Sequence, residues 1–411
     1  MFGKRSCVYS VIRLATLIGP MDTRGPSSHL RSSLPSPTGI FCISSYDYRN
    51  PIYNYGTRSQ LYLPPSAPNR DVCGRAGRAE AQRAQISPSM SSDGMLVPAP
   101  AQRGLLTWGK AAHGQLGLGR KQRVDVAAPT AVMPLSGQPI GAVACGHFHT
   151  AVLVAAGSRS TQVYTWGRGT LGLLGHGDEE DVLLPRPVAA LSGLAIRSIT
   201  CGMYQTAALT ERGELFCWGW RLERAAGGAV VEGYATLPDK VHALAGLEVR
   251  AVACGHYCTA AVTTDGALYT WGKGDRGQLG HGSPRDLVEP ERVKGGSLSG
   301  AFIWDARFGR NFMLVLTSAG EVCSCGAAEG GVLGRGPVAL PLTLSGDDCA
   351  SGSAAPRAPD EHTPRIVSGL RGSSICAIAC GETHAAALDV DGAVYTWGLC
   401  ACALLADAMP L

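Results

Sequence analysis

The chain has 411 residues, of which 54 are glycine, 45% are hydrophobic and 17% are charged. So low a charged fraction excludes a coiled coil or a charged disordered polymer, and the glycine content favours frequent tight turns. No uninterrupted apolar run reaches the about 20 residues that span a bilayer, so we expect no insertion into a membrane. The net charge of +4 comes from residues 1–100, with 11 Lys and Arg against 5 Asp and Glu. The near-neutral remainder argues against the basic face of a nucleic-acid binder.

Residues 1–102 lack a sustained apolar period and are rich in Ser, Pro, Arg and Gly, which predicts a disordered N-terminal region. The first 20 residues contain Lys4, Arg5 and Arg13 but no acidic residue. This composition is compatible with an organelle transit peptide, but we favour a plain unstructured extension. We therefore expect a cytoplasmic or nuclear protein, with a mitochondrial or plastid location as the alternative.

From residue 103 to residue 398 the chain is built from recurring motifs. A Trp-Gly motif recurs at Trp108, Trp166, Trp218, Trp271 and Trp397, with Cys323–Gly326 as a degenerate copy. A Cys-Gly motif alternates with it and supplies Gly146, Gly202, Gly255 and Gly381, and Arg307-Phe308-Gly309 fills one more slot. A third motif, Gly-x-Leu-Gly-x-Gly, starts at Gly114, Gly172, Gly277 and Gly331. Such periodic similarity indicates supersecondary units that bury their faces against their neighbours.

Each unit contains signals for short strands. Asp265-Gly266 and Asp391-Gly392 separate apolar runs, a hairpin signal in which we expect both turn residues to have positive φ. A further short strand is expected near residues 185–188 and 290–293. Three or four short strands in about 50 residues are typical of a β-propeller blade.

The four motifs, as they stand at residues 254–282, resemble the repeats of the regulator of chromosome condensation family. The resemblance implies an all-β, seven-bladed propeller, but six Trp-Gly elements and five Cys-Gly elements supply only about five to six blade units. We expect an incomplete propeller over residues 103–398, with an inserted surface loop at about 337–364 and an irregular tail at 399–411.

The recurring side chains have structural explanations. We expect the tryptophans to fill the space between blades, and the recurring histidines, His147, His149, His256 and His384, to tie neighbouring loops rather than bind metal. Cys323 and Cys325 are interpreted as eroded core positions, and Cys145, Cys201, Cys254 and Cys380 as small buried thiols. The sequence contains no phosphate-binding loop and no assembled catalytic constellation, so neither a cofactor nor a metal ion is expected.

One stretch departs from the repeat, because residues 220–239 replace Gly-x-Leu-Gly-x-Gly with what we expect to be an irregular loop. Such a replacement is either sequence drift or a contact surface, since loops on a rigid scaffold often carry function. We therefore identify Trp220, Arg221, Arg224 and Tyr234 as candidate partner-binding residues.

The favoured function is a non-enzymatic module or adaptor that binds another protein. The alternative that the family resemblance implies is guanine-nucleotide exchange on a small GTPase such as Ran, and fold alone does not decide between them. Chromatin binding is supported only by a short stretch with few basic residues, Arg75, Arg78 and Arg83. Ultraviolet-B photoreception, known in a plant member through Gly-Trp-Arg-His-Thr motifs, is matched only by Gly219-Trp220-Arg221.

Overall fold

The computed structural model describes residues 39–44, 104–120, 125–155, 160–335 and 359–399. These residues form six small β-sheets in which successive strands along the chain are neighbours. This arrangement confirms the predicted all-β propeller. The remainder of the predicted N-terminal region, most of the predicted insertion and residues 400–411 lie outside the described residues.

The first two sheets, blades 1 and 2, differ in how they begin. Blade 1 contains β1 (Gly39–Ser44), which pairs in parallel with β2 (Gly104–Gly109), followed by β3 (Val126–Ala131). The strand β1 lies within the segment that the sequence predicts to be disordered. Blade 2 is fully antiparallel; its strands are β4 (Ile140–Cys145), β5 (His149–Ala155), β6 (Thr161–Gly167) and β7 (Val182–Pro187).

Blades 3 and 4 are also four-stranded and antiparallel. The strands of blade 3 are β8 (Ile196–Cys201), β9 (Gln205–Thr210), β10 (Leu215–Arg224) and β11 (Val230–Lys240). Those of blade 4 are β12 (Val249–Cys254), β13 (Cys258–Thr263), β14 (Leu268–Gly272) and β15 (Leu287–Arg292). The strands β7 and β15 confirm the predicted short strands near residues 185–188 and 290–293.

Blades 5 and 6 complete the described array. Blade 5 consists of β16 (Ile303–Phe308), β17 (Phe312–Thr317), β18 (Val322–Gly326) and β19 (Glu361–Ile366). Blade 6 has three described strands, β20 (Ile375–Cys380), β21 (His384–Asp389) and β22 (Val394–Gly398). The helices of the described residues are single 3-10 turns of three residues, and none of them is long enough to cross a membrane.

The hairpins differ in detail from the expected turn. Gly266 has a φ of 80°, but Asp265 is not in the positive-φ region. The Gly266 amide donates to the Thr263 carbonyl, and the Thr263 amide donates to the Ala267 carbonyl. The connection is therefore a turn closed by a left-handed glycine, a common longer hairpin, and not a two-residue loop with two positive φ values.

The core lies between consecutive blades. Each residue of β9, β13, β17 and β21 is buried, because a second strand is covered on both faces by its neighbours. Between blades 2 and 3, for example, Leu153 and Val163 pack in one cluster with Ile199 and Trp218. First strands contact the first strands of the next blade, and the outer strands are the most exposed.

Three of the recurring tryptophans donate to a carbonyl of the preceding blade. Trp166 Nε1 donates to Gln115 O at 2.9 Å, Trp218 Nε1 to Leu173 O at 2.9 Å and Trp397 Nε1 to Val332 O at 2.8 Å. All three carbonyls belong to the second residue of Gly-x-Leu-Gly. Cys325, which replaces tryptophan in blade 5, directs its thiol to the equivalent Gln278 O at 3.7 Å. The residue at the tryptophan position thus joins each of these blades to the preceding one, as the sequence predicts.

The second strand supplies another donor to the same carbonyls. Thr150 Oγ1 donates to Gln115 O at 2.8 Å, and Thr206 Oγ1 to Leu173 O at 2.9 Å. Blade 3 lacks the motif, so blade 4 is joined differently: Thr259 Oγ1 donates to Gln205 Oε1 at 2.5 Å. Trp271 is only half-buried, and the described residues offer no carbonyl of this kind to its indole.

The Cys-Gly motif brings neighbouring loops into close approach. A Cβ atom on Gly202 would lie 2.2 Å from the Gly255 carbonyl oxygen, so only glycine fits there. The preceding cysteines are not uniform: Cys201 and Cys380 are buried thiols, Cys254 is a half-buried thiol, and Cys145 is disulfide-bonded. The expectation of four equivalent buried thiols is therefore wrong at Cys145 and Cys254. Cys323 and Cys325 are both fully buried.

His149 ties blade 2 to blade 3. Its Nε2 lies 2.7 Å from Thr206 Oγ1, and the Thr206 proton is already donated to Leu173 O, so Nε2 carries the histidine proton. Its buried Nδ1 has no partner among the described residues. Burial lowers the pKa of His149 to about 3, because a charged ring there would be desolvated.

We expect Trp218→Ala to lower the free energy of unfolding by about 3–5 kcal/mol, because it removes a fully buried ring between two blades. Trp271→Ala should cost clearly less, since Trp271 is half-buried. Urea denaturation followed by circular dichroism measures both. If both variants lost the same free energy of unfolding, the contact between the Trp218 indole and the carbonyl would not have the role assigned to it.

We expect His149 to make the fold sensitive to acid. Its folded pKa lies below the unfolded value of 6.5, so between these pH values the unfolded chain takes up the proton and stability falls with falling pH. From pH 6.5 to pH 5 this residue should remove about 2 kcal/mol. His149→Gln should flatten the pH dependence of the urea midpoint, whereas the exposed His242→Gln control should not. The account fails if the two variants behave alike.

Candidate protein-interaction face

An aromatic row crosses three blades at the loops between their first and second strands. Phe148, Tyr204 and Tyr257 occupy the same position in blades 2, 3 and 4, directly before the second strand. The Phe148 and Tyr204 ring centroids are 5.7 Å apart, and those of Tyr204 and Tyr257 are 5.0 Å apart and nearly stacked. Burial, together with the neighbouring Tyr204, raises the pKa of Tyr257 to about 12. The hydroxyl of Tyr257 is therefore neutral at physiological pH.

The residue after each Trp-Gly lies beside this row. Its backbone amide donates to the carbonyl of the aromatic residue in the same blade, from Arg168 to Phe148 at 3.0 Å and from Lys273 to Tyr257 at 2.9 Å. Arg168 Cζ lies 5.1 Å from the Phe148 centroid, and Lys273 Nζ lies 5.2 Å from that of Tyr257. Both are cation–π contacts.

In blade 3 the same position holds Trp220 in place of a basic residue. Its amide donates to Tyr204 O at 2.7 Å, and its ring meets Tyr257 edge-on with centroids 4.9 Å apart. Trp220 is only 5% exposed. It therefore forms a wall of the site, and the more exposed tyrosines form the accessible part.

The departure from the repeat at residues 220–239 is a long hairpin and not the irregular loop that we expected. The strands β10 and β11 have 10 and 11 residues, whereas the third and outer strands of the other blades have five to seven. Trp220 pairs with Tyr234, and Leu222 with Glu232. Directly opposed residues of an antiparallel pair point to the same side, so Trp220, Glu232 and Tyr234 share one side.

These side chains line an open cavity of about 420 Å³, which we call the aromatic pocket. Its lining residues are Leu171, Tyr204, Trp220, Glu232, Gly233, Tyr234 and Tyr257. A cavity of this size is within the range of ligand-binding pockets. Leu171 has a φ of 61°, and it is the one non-glycine residue with positive φ in the part of the chain that the structure describes. Backbone strain of this kind often accompanies a functional site.

Glu232 is the one charged residue of the pocket lining. Its Oε1 accepts from Lys273 Nζ at 2.5 Å and its Oε2 accepts from Trp220 Nε1 at 3.2 Å. These hydrogen bonds, first that of Lys273, lower the pKa of the Glu232 carboxyl. A second carboxylate lies next to the pocket, because Glu179 Oε2 accepts from the amide of the lining residue Leu171 at 2.9 Å. The nearby Glu179 also raises the pKa of Tyr234.

The structure brings together two of the four predicted partner-binding residues. Trp220 and Tyr234 both line the aromatic pocket. Arg221 lies on the opposite side of the hairpin, where Nε contacts Glu223 Oε1 at 2.7 Å and Nη1 contacts Asp239 Oδ2 at 2.8 Å. Arg224 is exposed at the end of β10.

Sequence reasoning missed Tyr204, Tyr257, Glu232 and Leu171. The aromatic residue two positions after Cys-Gly in three consecutive units is a signal that could have found the two tyrosines. Glu232 and Leu171 carry no such signal, because their place depends on the register of the hairpin. No group of three or more potential metal ligands occurs among the residues with described positions.

Comparisons with known proteins agree with this architecture. The family model of the RCC1-like domain matches residues 100–407. The ultraviolet-B receptor UVR8 of Arabidopsis thaliana is 34% identical over 292 residues, which are 71% of this chain and 60% of UVR8. The human E3 ubiquitin-protein ligase HERC2 is 35% identical over 280 residues, which are 68% of this chain but 5% of HERC2. The chain thus spans less than two thirds of the length of either relative.

A solved structure has the same fold. Prp20p from Saccharomyces cerevisiae, studied for its binding to Gsp1p and histones, has a TM-score of 0.55 and 22% sequence identity. The match covers 71% of this chain and 65% of Prp20p.

We expect the Glu232 contacts to be visible in a titration. Lys273→Met should raise the pKa of Glu232 towards its ordinary value, because the largest cause of its lowering is removed. Carbon-13 NMR of the glutamate carboxyl groups measures this change. Lys240→Met is the matched control, since Lys240 pairs instead with Glu214 at 2.6 Å. A Glu232 pKa that does not respond to Lys273→Met would show that the two side chains are apart in solution.

Its repeats, its propeller fold and the match of the family model over residues 100–407 show that the chain belongs to the RCC1-like domain family.

Proposed function

We propose that the chain is a non-enzymatic interaction module that binds a protein partner on the face carrying the aromatic pocket. The observation that carries this proposal is the convergence of Tyr204, Trp220, Tyr234 and Tyr257 from two blades and one atypical hairpin on a single cavity. Tryptophan, tyrosine and arginine are the residues most enriched at the energetic centres of protein interfaces. The relatives support a propeller-based interaction module, and the catalytic activity in the name HERC2 belongs to a protein of which this chain matches 5%.

The position of the hairpin also supports this face. The other described blades with the Gly-x-Leu-Gly motif use the space after Trp-Gly for a compact loop that joins the next blade. Blade 3 replaces that loop with the hairpin and gains exposed side chains on the pocket side: Tyr234 is 45% exposed and Val230 is 44% exposed. Exposed apolar side chains grouped on one element are typical of an interaction site.

Guanine-nucleotide exchange on a small GTPase is the second candidate. It is favoured by the likeness to Prp20p, whose binding to Gsp1p has been studied, although 22% identity indicates the fold alone. An exchange factor would accelerate the release of labelled GDP from a GTPase, and an adaptor would bind its partner without this effect.

Two further candidates and the cellular location remain predictions. Photoreception has UVR8 as a relative, yet Trp220-Arg221 is followed by Leu222-Glu223 and not by His-Thr. Chromatin binding would reach nucleic acid only indirectly, and it should weaken steeply with salt. We keep the cytoplasm or nucleus as the predicted location, with a mitochondrion or plastid as the alternative.

A photo-crosslinking residue at position 234 of the full chain should capture the partner. The matched control carries the same residue at position 184, because Leu184 is equally exposed at 46% on the outer strand of blade 2. With the purified partner, Tyr234→Ala should weaken binding about thirtyfold, the effect of losing an interface hot spot, and Leu184→Ala should not change it. Crosslinking at 184 but not at 234, with full binding by Tyr234→Ala, would refute the proposed face.

A further inference from the structure

We propose that the aromatic pocket receives a cationic side chain, an arginine or lysine of a basic segment of the partner. This inference rests on the proposed function and names the chemistry that the partner brings to that same face. It follows from the composition of the cavity walls, from the charges around it and from a cation that the chain itself places there.

The walls have the chemistry of a cation-binding cage. Trp220 and Tyr257 meet edge to face, Tyr204 stacks on Tyr257, and Tyr234 stands opposite Trp220 in the hairpin. The faces of aromatic rings carry negative electrostatic potential, and an ammonium or guanidinium group within about 6 Å of a ring centre is attracted to it. Several rings around one cavity add these attractions, whereas an anion would meet the same faces unfavourably.

Carboxylates lie at the cavity and beside it. Glu232 lines the pocket, and no basic side chain does. Glu179 adds a second carboxylate beside the pocket, where it accepts from the Leu171 amide at 2.9 Å. His256 adds no positive charge at neutral pH, because burial lowers its pKa to about 3. The basic side chains near these rings are already paired, Lys273 with Glu232 and Arg310 with Glu382 at 3.6 Å. Among the described residues, an acidic partner side chain would therefore find no unpaired cation at the pocket.

Lys273 shows that a cation is bound at these rings. Its Nζ lies 5.7 Å from the Trp220 centroid and 5.2 Å from the Tyr257 centroid, and 2.5 Å from Glu232 Oε1. Lys273 is 31% exposed and Glu232 is 59% exposed, so their ion pair is weak and breaks at little cost. Lys273 therefore acts as an internal competitor that an arriving cation displaces from Glu232.

The competitor role separates this proposal from two others. A pocket that selects an apolar side chain by shape is indifferent to the charge of residue 273. A face that binds an acidic partner through Lys273 loses affinity when Lys273 is neutralised. Only a pocket for cations gains affinity when its internal cation is removed.

The test uses Nα-acetylarginine amide as the probe, with Nα-acetylcitrulline amide as its neutral counterpart of similar shape. Binding to the full chain is followed by NMR through the indole N–H of Trp220, identified with Trp220→Phe. We expect the arginine probe to shift this signal with a Kd on the order of millimolar, and the citrulline probe to bind at least about fivefold more weakly, the size of one exposed cation–π contact.

Four variants complete the experiment. Lys273→Met should tighten arginine binding about fivefold, and Glu232→Gln should weaken it by a similar factor. Lys240→Met and Glu223→Gln are matched controls in blade 3, because Lys240 pairs with Glu214 and Glu223 pairs with Arg221 on the other side of the hairpin. Neither control should change the Kd. Folding of each variant is checked by the other indole signals.

Equal binding of the two probes, or weaker arginine binding by Lys273→Met, would overturn the proposal. So would an arginine probe that leaves the Trp220 signal unmoved. Failure of this inference is distinguishable from failure of the proposed function. If a partner still crosslinks at position 234, the proposed binding face stands, and only the cationic nature of the bound side chain is refuted. If the arginine probe binds but no partner crosslinks at position 234, the proposal that a protein partner binds this face is refuted instead.

Discussion

One backbone carbonyl group in each of four described blades, 1, 2, 4 and 5, joins that blade to the next. The carbonyl of the second residue in Gly-x-Leu-Gly accepts the indole N–H of the next blade's tryptophan at Gln115, Leu173 and Val332. At Gln115 and Leu173 it also accepts a threonine hydroxyl of that blade. A buried carbonyl has two acceptor sites, and both are satisfied here by the neighbouring unit. Blades of this kind bury their faces only against each other, so this contact lies in the interface that stabilises each of them.

The same constraint explains where the candidate site lies. Blade 3 has no Gly-x-Leu-Gly loop, so blade 4 replaces the carbonyl contact with the bond from Thr259 to Gln205 and leaves Trp271 half-buried. The chain that would have formed the loop extends β10 and β11 into a long hairpin. This hairpin carries Trp220, Glu232 and Tyr234 over the tyrosines of the face. One missing structural contact and one new cavity therefore occur at the same place in the fold.

Much of the fold could be predicted from the sequence, because the signals are local and recur. Trp-Gly and Cys-Gly mark strand ends, and the interblade role of Trp166 and Trp218 follows from their recurrence. The hairpin at residues 220–239 could not be predicted, since no repeat of the chain serves as its template. The pocket depends on the register that places Trp220 opposite Tyr234, and Arg221 shows the consequence, since a neighbour in sequence lies on the opposite side. Register of that kind is set by tertiary packing and not by composition.

The most direct test of this account is hydrogen exchange of the tryptophan indole N–H groups, followed one by one by NMR. The carbonyl contacts predict that the indole protons of Trp166, Trp218 and Trp397 exchange slowly, because each is donated to the preceding blade. The Trp271 indole should exchange much faster. A Trp218 proton that exchanges as fast as that of Trp271 would contradict the claim that the Gly-x-Leu-Gly carbonyls join the blades.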